Sequence, residues 1–387
     1  MSKLCISLPP FAPDYSGAAS ALFDMGGLIV IHDASGCTGN YTGFDEPRWF
    51  GSKSAVFCSG LRHMDAVLGN DAKLIRHIED AAASLKPRFI AVLGSPVPMV
   101  IGTDFGGIAN EIEFDTGIPS IGLATRGLAY YGTGICAASE AMLKKFVKDE
   151  KSVIPGSINL LGITPLDFYI NGNSEDFRAL FESNGIPVIA SYHMGMSVED
   201  LNLSLAASLN VAVSQAGVQL AEYMKKNYGM PYIAVTPLGD GGIALEKVRR
   251  ALYGEYLRYT PVPGDSDTLI VGEQIIAVSI REYLQKKCAY GPVTNAVLYD
   301  VSENYMAAGD IKIRDESELR RILNSGKYKT VIGDPMLKKL IKSENAGELH
   351  FCSLPHVALS SKVHWDEYKK FLSRDMTAWL NNVKREE

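Results

Sequence analysis

Short apolar runs alternate with segments of helical period along nearly the whole chain. In the first part, apolar runs predict buried strands and amphipathic spacing predicts helices. The predicted strands are residues 28–32, 88–93 and 119–123, and the predicted helices are residues 14–25, 71–85, a segment from about 103, and 137–148. A glycine-rich loop, residues 33–39, follows the first strand. This alternation is typical of α/β layers around parallel sheets.

The same alternation restarts twice more. After Pro155-Gly156, strands are predicted at residues 158–162, 187–190, 211–214 and 232–235. A proline-rich stretch at 259–265 predicts an extended linker, because proline removes a donor and disfavours helix before it. Beyond it the pattern predicts strands at 268–271, 296–299 and 330–332, helices at 274–287 and 316–323, and a closing helix at 361–383. The chain is therefore predicted to be an α/β protein of three units, residues 1–155, 156–264 and 265–387.

Composition and charge exclude several partners. The 387 residues carry a formal net charge of −6, which argues against nucleic acid or an anionic membrane as the main partner. The apolar runs fall far short of the ~20 residues that a membrane span needs. The N-terminus lacks the charged and apolar regions of a signal peptide, so we expect a cytoplasmic protein with small-molecule or protein partners.

The cysteines are the strongest chemical candidates. Six in a cytosolic chain of this size indicate thiols or metal ligands rather than disulfides, and no C-x-x-C pair occurs. Cys37 lies in the loop after the first strand, where Gly36 and Gly39 would let backbone amides approach and tune an iron–sulfur cluster. The alternative is a lone loop thiol.

Two further cysteines are considered as metal ligands. Cys5 lies 32 residues before Cys37, and two thiolates are too few for a cubane, which requires four. A two-fold dimer would supply the missing pair. Cys58 is either a third ligand or a buried core thiol, and we favour the core. The other cysteines, Cys136, Cys288 and Cys352, are interpreted as structural.

Histidines and glycine-rich turns have both functional and structural interpretations. His32 directly follows the first strand and either orients the Cys37 loop or is structural. His193 and His356 follow apparent strands, which are suitable positions for a pocket. Each either donates a proton to a reduced substrate or has an ordinary packing role. The stretch from Gly132 to Ala137 fits a dinucleotide-loop outline, but no clean strand precedes it, so we predict a tight turn with close helix packing. No P-loop sequence occurs, so ATP hydrolysis by this chain is not expected.

Several segments of the chain together resemble a known family. The segment from Cys5 through Gly39, with Gly26-Gly27 and Ser35-Gly36-Cys37, is similar to the N-terminal region of the nitrogenase component 1 superfamily. The likeness continues through residues 60–69 and through Ile101-Gly102-Thr103-Asp104, which resembles the family's isoleucine–glycine–aspartate loop. The resemblance implies three Rossmann-like α/β/α units with mainly parallel sheets.

The resemblance also implies a metal site. Cys5 and Cys37 match two of the family's three cluster ligands per subunit. The third, expected about six residues before Gly102, is missing, and Ser95-Pro96-Val97 occupy that place. This implies a single [4Fe-4S] cluster shared by two cysteines from each of two chains, rather than an eight-iron cluster. The family's cysteine for the iron–molybdenum cofactor would fall near Ala221, and alanine cannot ligate a metal, so dinitrogen reduction is not expected.

The implied function is that of a nitrogenase-like reductase. The chain would work as a homodimer or with a paralogous subunit, and a separate ATP-hydrolysing iron protein would deliver electrons through the cluster. The substrate would be a tetrapyrrole or other small organic molecule in a cavity between the units. The alternatives are a non-catalytic scaffold for cluster or cofactor assembly, and a nicotinamide-dependent dehydrogenase using the Gly132 turn.

Overall fold

The computed structural model describes residues 6–50, 54–147, 151–345, 347 and 349–383. The first of three parallel sheets has the order β2-β1-β3-β4. Its strands are β1 (Leu28–Ile31), β2 (Ala55–Cys58), β3 (Ile90–Leu93) and β4 (Ser120–Leu123). Its helices are α1 (Asp14–Leu22), α2 (Gly36–Asn40), α3 (His63–Leu68), α4 (Asp71–Leu85), α5 (Pro96–Ile101), α6 (Phe105–Thr116) and α7 (Tyr131–Phe146). A π-helical segment (Tyr41–Asp45) and a 3-10 turn (Pro47–Trp49) follow α2.

The middle sheet has the order β6-β5-β7-β8. Its strands are β5 (Ile154–Ile163), β6 (Val188–His193), β7 (Ala207–Ala212) and β8 (Tyr232–Ala234). The helices around it are α8 (Pro165–Phe168), α9 (Asn173–Glu182), α10 (Val198–Ser204), α11 (Gln215–Tyr228) and α12 (Gly242–Leu252).

The third sheet has the order β11-β10-β9-β12-β13. Its strands are β9 (Thr268–Gly272), β10 (Thr294–Val297), β11 (Ile311–Lys312), β12 (Thr330–Gly333) and β13 (His350–Ser353). Its α-helices are α13 (Gln274–Lys287), α14 (Glu316–Leu323), α15 (Val357–Ser360) and α16 (Arg374–Asn381). Shorter 3-10 segments lie at Glu303–Tyr305, Pro335–Leu340 and Ser361–Glu367.

The predicted α/β class with parallel sheets is confirmed. β1 and β3 are apolar at all four positions and buried at each of them, as strands covered by helices on both faces must be. Every strand pairing within the three sheets is parallel. None of the helices in the described ranges combines the length and the apolar character that a membrane span requires.

The predicted tight turn at Gly132 is instead part of a helix. Both Gly132 and Gly134 lie within α7. A Cβ on Gly134 would lie 1.7 Å from the backbone oxygen of Asp14, and one on Gly17 would lie 2.0 Å from that of Tyr131. The predicted close helix packing is therefore present, between α1 and the first turns of α7. The glycines allow the two helices to approach each other and do not form a turn.

Two other segments differ from the prediction. The loop after β1 contains the short helix α2, because the Asp33 carboxylate accepts hydrogen bonds from the amides of Ser35 (2.9 Å) and Thr38 (3.1 Å). The closing helix predicted for 361–383 is broken. Ser373 caps the start of α16 by accepting a hydrogen bond from the amide of Met376, and the 3-10 segment before it contains a non-helical residue, His364.

Candidate functional site

The carboxyl ends of β1, β2 and β3 meet at one edge of the first sheet. Ile31 is in register with Cys58 of β2 and with Leu93 of β3. The loops that follow these strands are therefore neighbours. They bring the Cys37 loop, Cys58 and Ser95 to the same edge, the place where open α/β sheets hold ligands.

Cys37 lies in the first turn of α2, half-buried. The side chains of Tyr15, Asp33 and Ser95 lie beside its thiol. Burial raises the pKa of the Cys37 thiol above its ordinary value, against the smaller effect of the Tyr15 hydroxyl. The thiol is therefore held protonated in the free chain, and a metal would have to displace that proton on binding.

Hydrogen bonds of two serine hydroxyls connect the end of β1, where the Cys37 loop begins, to the loops after β2 and β3. The Ser59 hydroxyl lies 2.8 Å from Nδ1 of His32 and accepts a hydrogen bond from the amide of Asp33 at 3.0 Å. The Ser95 hydroxyl donates to the backbone oxygen of His32 at 2.8 Å. His32 thus joins all three loops, whereas none of its hydrogen bonds in the described chain reaches Cys37.

The glycines beside Cys37 have open space around them. A Cβ on Gly36 or on Gly39 would meet no atom within 4 Å. Crowding within this chain therefore does not require glycine at either position. That their amides approach a cluster stays a prediction.

The other two predicted metal ligands are Cys5 and Cys58. Cys5 lies outside the described residues. Cys58 is half-buried, and its sulfur donates to the backbone oxygen of Asp33 and accepts from the amide of Gly60, both at 3.3 Å. Within the described ranges, no group of three or more His, Cys, Asp or Glu side chains is arranged to hold a metal ion.

A second polar cluster lies where the three sheets meet. His356, which follows β13, places Nε2 3.1 Å from Oδ1 of Asp167 and Nδ1 3.0 Å from the hydroxyl of Tyr299. Its backbone amide donates to Asp334 at 2.8 Å. The Tyr131 hydroxyl of α7 donates to the same Asp167 oxygen at 2.6 Å. We call these side chains, with Glu273, the junction cluster.

The junction cluster is closed. Glu273 accepts hydrogen bonds from the amides of Ile276 (2.7 Å) and Gln215. Burial and the nearby Asp167 carboxylate raise the pKa of Glu273 to about 8. The cavity among these residues measures about 30 Å³, which holds a water molecule or two. An organic substrate does not fit there, so the junction cluster is not the expected substrate cavity between the units.

The predicted proton donors lie apart from the Cys37 loop. His193 is buried, and its Nε2 lies 2.6 Å from the Ser139 hydroxyl. Burial lowers the pKa of His193 to about 3, so the ring is neutral at physiological pH. No hydrogen bond among the described residues links His193 or His356 to Cys37. Their catalytic role stays a prediction.

Sequence reasoning missed two neighbours of Cys37. Asp33 carried a usable signal, since an acidic residue two positions after a buried strand is placed to cap the following turn. Tyr15 carried none, because its position depends on how α1 packs against α7.

Exposed apolar side chains surround this edge. They stand on β2, α3 and α5, the elements next to the Cys37 loop, and Val100 is 78% exposed. The others are Phe57, Met64, Val67, Leu68, Val97 and Ile101. A group of exposed apolar side chains on neighbouring elements indicates a protein contact.

A family model described as nitrogenase component 1 type oxidoreductase matches residues 13–245, more than half of the chain. The chain belongs to this family. The nitrogenase component 1 fold covers it almost completely: a structure titled "Nitrogenase Cp1 at pH 6.5" superposes with a TM-score of 0.74 over 99% of this chain and 94% of that chain, at 14% identity. A second, titled "Nitrogenase Cp1 at pH 5", gives 0.70 over 98% and 89%, at 16% identity. These likenesses show the fold alone.

Curated relatives of this component 1 protein have different names. The nitrogenase molybdenum-iron protein alpha chain of Methanosarcina barkeri is 25% identical over 59% of this chain and 43% of its own length. The iron-molybdenum cofactor biosynthesis protein NifE of Clostridium pasteurianum is 32% identical over 47% and 40%. A subunit of the light-independent protochlorophyllide reductase of Chlorobium phaeobacteroides is 31% identical over 34% and 25%. This chain matches less than half of the length of each of these relatives.

The donor set of this component 1 chain fits a cluster only in part. Cys37 is a half-buried thiol at an open edge, which suits a soft metal. The described part of one chain adds only Cys58 at this edge, and its sulfur already has two backbone partners. A cubane needs four thiolates, so it requires Cys5 and a second chain.

Proposed function

We propose that two copies of this chain, or one copy and a paralogue, share a [4Fe-4S] cluster through Cys5 and Cys37 of each subunit. The chain then serves as the catalytic component of a reductase that receives electrons from a separate ATP-hydrolysing iron protein. The observation that carries this proposal is the half-buried Cys37 thiol at an open sheet edge, on a loop clamped by Asp33.

Residues of this chain prepare the edge for a metal. Asp33 holds the turn, so that Cys37 needs no rearrangement to present its sulfur. The hydroxyls of Tyr15 and Ser95 lie beside the sulfur, where they lower the energy of a thiolate. When bound, a cluster of this type supplies single-electron transfer at low potential.

The apolar surface around the edge supports a shared cluster. Its side chains, on β2, α3 and α5, are exposed in a single chain and would be covered by a second subunit. Covering them removes water from the cluster as well as from the apolar groups, and it brings a second Cys37 to the same place.

The substrate we propose is a small organic molecule, with a tetrapyrrole as one such class. The cavity of about 30 Å³ at the junction cluster is too small for it. We place it at the contact between the two subunits, beside the shared cluster. The protochlorophyllide reductase relative supports an organic substrate.

The second candidate is a scaffold that holds a cluster or cofactor during assembly and passes it on. Similarity to the cofactor biosynthesis protein NifE over 47% of the chain supports this function. The absence of room for a substrate at the junction cluster is equally compatible with it.

The metal site is tested by iron content. Anaerobically reconstituted full-length protein is expected to hold about two irons per chain, because one cubane serves two chains. Cys37→Ala is expected to reduce iron at least tenfold, while Cys288→Ala, at the end of α13, leaves it unchanged. Paramagnetic resonance of the reduced protein identifies the cluster. Full iron in Cys37→Ala would overturn the proposal.

The two functions are separated by turnover. Reduction of a tetrapyrrole in the presence of an iron protein and ATP supports the reductase. Transfer of bound iron to an apoprotein, without reduction of any offered substrate, supports the scaffold.

A further inference from the structure

A groove of about 1160 Å³ lies between the middle sheet and the third sheet, far larger than the cavity at the junction cluster. Its walls include β8, α12 and α13, and residues 256–266 cross it as an extended segment, which we call the strap. The edge of the first sheet that carries Cys37, Cys58 and Ser95 is called the Cys37 edge. No residue of the groove belongs to the Cys37 edge or to the junction cluster. Small-molecule sites typically measure ~300–1,000 Å³, so the groove has room for a sizeable ligand.

Hydrogen bonds to Gln285 of α13 hold the strap over the groove. Oε1 of Gln285 accepts hydrogen bonds from the amide of Val262 at 3.1 Å and from the hydroxyl of Tyr259. Nε2 of Gln285 donates to the backbone oxygen of Gly291 at 2.8 Å. The middle of the strap is thus held in place, and the guanidinium of Arg258 lies 3.5 Å from the backbone oxygen of Asn304.

The groove is positively charged. Two of its five cations are neutralised, Lys247 by Glu282 and Arg281 by Asp310. The other three are Lys225, Arg258 and Lys327, and Asp265 is the carboxylate among the lining residues.

The three remaining cations are free to meet an anion. In the described part of the chain, none of Lys225, Arg258 and Lys327 forms an ion pair with a carboxylate, and all three are exposed. A concave surface lined by one sign of charge concentrates ions of the opposite sign. It does so here in a chain whose net charge is −6.

Aromatic rings line the same groove. Tyr232, Tyr256, Tyr259 and Tyr305 contribute to its walls. The ammonium of Lys225 lies 5.7 Å from the centre of the Tyr232 ring, and the guanidinium of Arg281 lies 5.9 Å from that of Tyr259. Rings beside cations suit a ligand that is flat and apolar in its body and anionic at its rim.

Arg281 forms part of the groove wall. Its side chain is 2% exposed, and its guanidinium donates to Asp310 at 2.5 and 3.1 Å. The charge of Arg281 is therefore neutralised within the chain, and we do not count it among the cations that would hold a ligand.

We propose that the groove is a binding site for a polyanionic small molecule with a flat aromatic body, held by Lys225, Arg258 and Lys327 and covered by the strap. The ligand's acidic groups are carboxylates or phosphates. This site is independent of the proposed iron site, and it binds whether or not iron is present.

The probe for this site is 1,3,6,8-pyrenetetrasulfonate, a flat fluorescent tetraanion, titrated into the full-length protein. We expect saturable binding to one site per chain, at least tenfold weaker in the variant Lys225→Gln/Arg258→Gln/Lys327→Gln. The matched control, Lys226→Gln/Lys329→Gln/Arg374→Gln, removes the same charge from exposed positions outside the groove and is expected to bind as the wild type does. Circular dichroism checks that both variants are folded.

Competition identifies the acidic group. Displacement of the dye by ATP indicates a phosphate ligand, and displacement by benzenehexacarboxylate indicates a carboxylate ligand. Equal weakening in the groove variant and its control, or no saturable binding at all, would overturn the proposal. Neither result bears on the iron content of Cys37→Ala, so the two proposals fail separately.

Discussion

The Cys37 edge and the junction cluster lie at similar places in parallel sheets but have opposite properties. Both lie at the carboxyl ends of parallel strands, where polar side chains follow buried ones. At the edge, a half-buried thiol and exposed apolar side chains leave a surface that a second molecule can cover. At the junction, buried side chains bond to one another around about 30 Å³.

The difference shows where this chain can take a ligand. At the edge, hydrogen bonds of Asp33, Ser59 and Ser95 hold the backbone of the loops, and the Cys37 thiol beside them is only half-buried. At the junction, both ring nitrogens of His356 already have partners. The edge therefore serves binding, and the junction serves to hold three sheets together. α1 connects the two, because it places Tyr15 beside Cys37 and packs against α7, which carries Tyr131.

The largest expected effect is on stability at the junction. Tyr299→Ala removes a buried ring that contacts Phe11 and Tyr131, with ring centres 5.4 and 5.3 Å away, and a hydrogen bond to His356. We expect a loss of ~3–5 kcal/mol in the free energy of unfolding, measured by urea denaturation. Iron per chain in the folded fraction should not change.

The control is Tyr253→Ala, whose ring is 87% exposed and whose loss should cost less than ~0.5 kcal/mol. Loss of iron in Tyr299→Ala without loss of stability would contradict the assignment of metal binding to the Cys37 edge. The junction cluster would then hold the metal.

A smaller effect is expected from the titration of Glu273. Its folded pKa of about 8 lies above its ordinary value, so folding favours the protonated form. That stabilisation is complete below the unfolded pKa and is lost as the pH rises through about 8. Stability should therefore fall between pH 5 and 9, by at most ~1.4 kcal/mol per pH unit from this group.

Glu273→Gln keeps the shape of the side chain and removes the titration, so its stability should fall less steeply with pH than that of the wild type. Asp45, near the edge, adds a fall of the same sign in both proteins, because burial raises its pKa to about 7. Glu175→Gln, at an exposed position on α9, is the matched control. Identical pH profiles of Glu273→Gln and the wild type would show that the junction does not contain a titrating acid.

The smallest effect concerns the loop that carries Cys37. Ser59→Ala removes the hydroxyl that bonds His32 and Asp33, and it should cost ~1 kcal/mol of stability. Because the Cys37 loop then loses one of its anchors, we also expect faster loss of iron to a chelator. Ser84→Ala, on exposed helical surface, should do neither. Unchanged iron release in Ser59→Ala would show that the Ser59 hydroxyl does not hold the loop for metal binding.

Much of the fold was predictable because the signals are local. The helices α4, α13 and α14 begin and end at the predicted residues, since their apolar spacing and their acidic or polar starts lie within one segment. The helices α13 and α14 also have basic residues in their last turns. The position of Cys37 after a buried strand was predictable for the same reason.

Other features depend on contacts between distant segments. Gly132 and Gly134 have the spacing of a turn, yet α1 packs so closely on them that they belong to a helix. Tyr15 lies beside Cys37 because of the way α1 packs in the folded chain, and the residues around Tyr15 in the sequence give no sign of this contact.

The amino-acid sequence alone determined the parallel α/β architecture, the family likeness and the thiol at a strand end, because periodicity and motif spacing are properties of neighbouring residues. Tertiary structure alone decided which of two similar places is open. The size of a cavity and the partners of a buried histidine depend on side chains that are far apart along the chain, such as Asp167 and His356, and only folding brings those together.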